Sequence, residues 1–119
     1  MALACLLGAP ALSQPAPPAG CENATSTAAM RECENARLKR AQEGMDAAYR
    51  GLQAKLDERG REKLRGAQQA WLRFRAAESA WHADAARDGT LAPLIAASVQ
   101  ADLTEARRRE LEKAAGEQR

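Results

Sequence analysis

Ala67-Gln68-Gln69-Ala70-Trp71-Leu72-Arg73-Phe74-Arg75-Ala76-Ala77-Glu78 holds the only Phe and one of the two Trp residues of a 119-residue chain. Leu64, Ala67, Trp71 and Phe74 recur at the spacing that stacks side chains on one face of an α-helix. Large side chains are scarce elsewhere, so this face is expected to supply much of the core. Trp71, Phe74 and Tyr49 are accordingly read as packed inside. Around this stretch alanine dominates, with Leu, Glu, Arg, Lys and Gln next, and no strand-like alternation occurs. That composition predicts an all-α fold with a thin, alanine-rich core.

Working outward, a first helix is expected over 26–58. Met30, Cys33, Leu38, Ala41, Met45, Ala48, Tyr49, Leu52 and Leu56 form its stripe, and Ser26 or Thr25 caps it. Arg59-Gly60 is the expected break, because glycine readily takes the left-handed conformation that ends helices. The second helix is expected over 61–87, closed by Asp88-Gly89. Thr90 is placed as cap of a third, with Pro93 in its first turn and Leu91, Ile95, Val99, Leu103 and Leu111 facing inward as far as Ala115. Residues 116–119 are expected to fray. Short connections predict an antiparallel bundle of three main helices. Counting outward from Gly60 and Gly89 predicts a Tyr49–Trp71–Arg107 layer and, one turn away, an Asp46–Arg75–Thr104 layer. It also sets Ser79 beside Val99.

The front of the chain differs. Residues 1–20 carry no charge, run apolar to Leu12 and then become rich in Pro and Ala, as in a secretory signal with a small-residue exit near Ala11-Leu12-Ser13. The apolar part is too short to span a bilayer, which needs about 20 residues. Ala2-Leu3-Ala4-Cys5 makes a poor lipobox, so lipid anchoring through Cys5 is not expected. Cys21 and Cys33 remain after this segment, and export predicts that they are bridged; the alternative is two free thiols in a cytosolic protein. On one helix they would stand about 18 Å apart, beyond disulfide reach. A helix starting near Ser26 instead lets the extended leg from Cys21 to Thr25 fold back over about 13 Å to meet Cys33.

Charge and motifs exclude more than they include. The net charge of +2 comes from densely mixed signs, and acidic residues surround the one basic run, Arg107-Arg108-Arg109. This is the pattern of a solvated helical surface, not a nucleic-acid footprint. Glu78, His82 and Asp84 lack the further ligand a metal site needs, and the single His has no nucleophile set beside it. No cofactor and no enzymatic activity are expected. Trp81, near the end of the second helix, is read either as cover for the disulfide end or as an exposed anchor for a protein partner.

Three blocks in order carry a family likeness. They are Cys21, Cys33 and Met45-Asp46-Ala47-Ala48-Tyr49; then Leu64 to Glu78 with Gln68, Trp71, Phe74 and Arg75; then Leu103-Thr104-Glu105-Ala106-Arg107 followed by Leu111. Over residues 21–115 the chain resembles the lysozyme inhibitor LprI-like N-terminal domain family of small exported bacterial helical domains. It departs from that pattern at Asp46, where Asn is common, and at Ser79 and about Val99, where a second cysteine pair often stands. The resemblance implies an exported, periplasmic or secreted, non-enzymatic envelope protein that inhibits lysozyme by protein–protein binding. An alternative is a structural or stress-related helical module with an unrelated protein partner. Asp46, Tyr49, Gln68, Trp71, Phe74, Arg75, Thr104 and Arg107 are then motif residues with a structural role, Asp46 or Glu78 pairing the buried arginine. A slightly basic chain gains little attraction to a basic lysozyme, so an acidic patch of Glu22, Glu32 and Glu34 beside the disulfide leg is the candidate contact.

Overall fold

The computed structural model describes residues 21–118; the signal-like segment and Cys5 lie outside them. Three helices follow one another, α1 (Thr27–Gln53), α2 (Glu58–Asp84) and α3 (Ala92–Glu117), with no strand among the described residues. Ser26 caps α1, its hydroxyl accepting from the Ala29 amide at 3.1 Å. The first turn falls earlier than Gly60. α1 stops at Gln53, and Asp57 caps α2 by accepting the Gly60 amide at 2.8 Å. An aspartate that satisfies an orphan N–H starts a helix more firmly than a glycine stops one, so Gly60 sits inside the first turn of α2.

The second connection also begins early. α2 ends at Asp84, and the left-handed residue is Asp88 (φ 63°), while the Gly89 amide closes a turn onto the Ala86 carbonyl. Thr90 does not cap α3: Leu91 holds the N-cap position without a side-chain bond, and Pro93 occupies the first turn. Proline there lacks only an amide that would have had no helical partner. At its far end α3 continues through Gly116 to Glu117, beyond the expected stop at Ala115.

The chain runs up, down and up, so α1 and α3 are parallel. Arg37 reaches Asp102 near their starts, and Lys55 Nζ donates to the Ala115 carbonyl near their ends. Their seam is built from small residues, Ala41 on α1 and Ala97 and Ala101 on α3, which let the backbones come close. Gly44 serves the same seam: a β-carbon there would stand 2.8 Å from Cδ of Arg108, whose stem crosses it. The buried line of α3 is therefore Ala97, Ala101, Thr104 and Leu111; Ile95, Val99 and Leu103 are half-buried, and Leu91 is exposed. Periodicity had favoured the larger residues, but a close seam selects the small ones. α2 approaches α3 more than α1, and long side chains span the α1–α2 gap.

The apolar core lies at the end of the bundle that carries the α1–α2 turn. Met45, Leu52 and Leu111 are buried there, with Tyr49, Leu56, Leu64, Trp71 and Leu72 packed against them. Toward the opposite end large buried apolar side chains give way to alanine, and the Cys21–Cys33 disulfide ties the N-terminal leg to α1 with 5.7 Å between Cα atoms. No helix of the described residues is long and apolar enough to cross a membrane.

Candidate functional site

Between the two ends runs a polar layer built by all three helices. Arg75 on α2 donates to the Gln42 side chain at 2.6 Å and to the Thr104 hydroxyl at 3.0 Å. Thr104, fully buried, in turn donates to the Gln100 carbonyl. Gln42 also donates to Asp46 at 3.0 Å, so the amide stands between the expected Asp46–Arg75 partners and relays them. Burial pushes the Arg75 guanidinium below its ordinary pKa, and the Asp46 carboxylate offsets part of that shift. Deeper, Arg107 donates to Gln68 at 3.0 Å, and Gln68 donates to the Met45 sulfur. The half-buried Trp71 ring lies 5.3 Å from the Arg75 guanidinium and 5.8 Å from that of Arg107. Tyr49 packs on the adjoining core. Gln42, Asp46, Arg75, Thr104, Gln68 and Arg107 thus bond within the bundle and link all three helices.

A second charged cluster was not foreseen. Arg37 is buried, and it bonds Glu34 at 2.9 Å, Asp102 at 2.9 Å and the Ser98 carbonyl, with Glu105 at 3.2 Å. Burial alone would lower the Arg37 pKa, but hydrogen bonds to Asp102 and Glu34 outweigh it and hold the group above its ordinary value. Glu34 is only 4% exposed and so cannot belong to an acidic surface patch. Glu22 and Glu32 are exposed. The signal for this cluster was present in the sequence: Glu34 and Arg37 precede Ala41 by two turns and one turn, on the very stripe that buries Met45. Beside it, a groove of about 400 Å³ opens between the leg and α3. Met30, Leu94 and Ile95 line it together with Cys21, and Glu22 is also among its lining residues.

Phe74 is not core. It is 48% exposed, and Trp81 is 62% exposed, stacked on His82 at 4.2 Å and not closed over the disulfide. The inward line of α2 is Leu64, Gln68, Arg75 and Ser79, which leaves Phe74 and Ala67 outside while Trp71 bridges the two faces. Ser79 meets α3 at Gln100, the neighbour of Val99, and the Gln100 side-chain amide donates to it at 3.3 Å. Phe74→Ala is therefore expected to cost less than about 1 kcal/mol in urea unfolding of dilute protein, whereas Met45→Ala should cost about 2–5 kcal/mol. Among the described residues no group of three or more His, Cys, Asp or Glu could hold a metal ion.

The fold is a disulfide-tied domain of three helices with an internal polar layer. The chain belongs to the lysozyme inhibitor LprI family, whose family model matches residues 21–111. No curated protein and no solved structure matches it. The family and the bridge together point to a place outside the cytoplasm, where disulfides persist.

Proposed function

We propose that this is a periplasmic or secreted inhibitor that binds a lysozyme and blocks its cleft without chemistry of its own. Family membership across residues 21–111 carries this reading. Contact is assigned to the disulfide-tied end. There the groove floor of Met30, Leu94 and Ile95 meets the exposed Glu22, and Glu32 adds a second exposed carboxylate on the same end of α1, outside the groove. An apolar floor edged by acid suits a lysine or arginine side chain, which buries its stem and keeps its charge at the rim. Electrostatic steering at that rim would also offset the overall repulsion between two basic proteins.

The test is lysis of a bacterial suspension by lysozyme, followed as loss of turbidity with the disulfide-bonded protein present at about 10 µM. Slowed lysis is expected, weakening as salt rises. Glu22→Gln/Glu32→Gln should raise the half-inhibitory concentration severalfold with folding unchanged. Lysis at full rate, beside a working inhibitor control, removes the proposal.

A further inference from the structure

The outer face of α2 carries a line of exposed residues, Ala67, Ala70, Phe74, Ala77 and Trp81, spaced to form one apolar stripe. Gly66 lies at its edge. The stripe is graded: small residues fill its N-terminal half, Phe74 stands at its middle, and Trp81 ends it. Lys63 precedes it by one turn, exposed and without an ion-pair partner among the described residues, and Asp84 follows it, exposed and shared with Arg87.

We propose that this face binds a second copy of the same chain, α2 against α2, antiparallel about an axis through Phe74. In that register the Trp81 of each copy seats on Gly66, Ala67 and Ala70 of the other, Phe74 meets Phe74, and Ala77 faces Ala70. A two-fold pairing is self-complementary in this way, with each contact made twice. Parallel pairing would put Trp on Trp and leave a gap between the alanines, so the size gradient selects the antiparallel form. Charge selects it too, because Lys63 of one copy falls level with Asp84 of the other at both ends. Arg73 lies a quarter-turn off the stripe, where its guanidinium reaches solvent. The apolar stripe is about 21 Å long, about 32 Å with Lys63 and Asp84 included, and about 10 Å wide, a small contact that makes the association weak and reversible. It does not include the groove or Glu22 and Glu32, so it is independent of the inhibitory contact.

Sedimentation equilibrium of the disulfide-bonded protein from about 1 µM to about 1 mM reads this directly. The weight-average mass should rise from one chain toward two. Phe74→Glu/Trp81→Glu, both at exposed positions, should hold it at one chain throughout with helical circular dichroism unchanged. Lys63→Glu or Asp84→Lys alone should weaken the dimer about fivefold, since each change acts twice, and the Lys63→Glu/Asp84→Lys swap should restore it. A protein that stays single-chain at the highest concentration overturns the proposal, even if the stripe captures some other protein. So does a dimer indifferent to Phe74→Glu/Trp81→Glu, or a swap that fails to restore what the single reversals removed.

Discussion

Arg37→Met is expected to destabilise the protein by about 3–5 kcal/mol, because it strands a carboxylate that has nowhere to go. Glu34 is 4% exposed, and Arg37 is the one cation bonded to it among the described residues. Asp102 should matter far less, since its side chain is 68% exposed and water can replace the arginine. The asymmetry gives the test its form. Arg37→Met should shift the urea midpoint strongly, Asp102→Asn weakly, and Arg37→Met/Glu34→Leu should recover most of the loss by removing both charges together. Arg37→Lys should recover little, because one ammonium cannot reproduce a planar fork that serves Glu34, Asp102 and the Ser98 carbonyl at once. If Arg37→Met costs under about 1 kcal/mol, Glu34 finds water in the native state and the cluster is not a structural bond.

That cluster also marks the limit of what periodicity can read. Three helices, their order and the bridged leg were legible, because helix-forming composition and the reach of a disulfide constrain them strongly. The Trp71–Arg107 and Arg75–Thr104 proximities were legible too, since counting from Gly89 places residues on α2 and α3 almost correctly. Counting from Gly60 was less sound: Asp57 moves the first turn, and Gln42 stands between Asp46 and Arg75. Hydrophobicity misled at two places. Size alone places Phe74 inside, yet α2 turns a polar line of Gln68, Arg75 and Ser79 inward to bond with α3. Charge alone places Glu34 outside, yet its partner Arg37 lies one turn away on the same buried stripe. The thin alanine seam accounts for the second: toward the disulfide end α1 and α3 meet through Ala41, Ala97 and Ala101, and Glu34 and Arg37 are buried there by bonding each other.

Removing the disulfide, as Cys21→Ser/Cys33→Ser, is the second large effect expected, about 3 kcal/mol for a loop of this length. Its distribution should be uneven. The turn end of the bundle keeps Met45, Leu52 and Leu111 and depends little on the leg, while the far end buries alanines, Ser79, one ion cluster and Cys21 among the described residues. Freeing the leg uncovers the groove side of Glu34, which lines the same space as Cys21 and Met30. Water then reaches that carboxylate, and losing Arg37 becomes less costly. Hydrogen exchange should accordingly lose protection over the N-terminal halves of α1 and α3 while the residues around Met45 and Leu111 remain slow. The coupling is measurable as well: Arg37→Met should cost at least about 1 kcal/mol less without the disulfide than with it. Uniform loss of protection along α1, or additive costs for the two changes, would show that the bridge acts on the unfolded chain alone and does not seal the charged end.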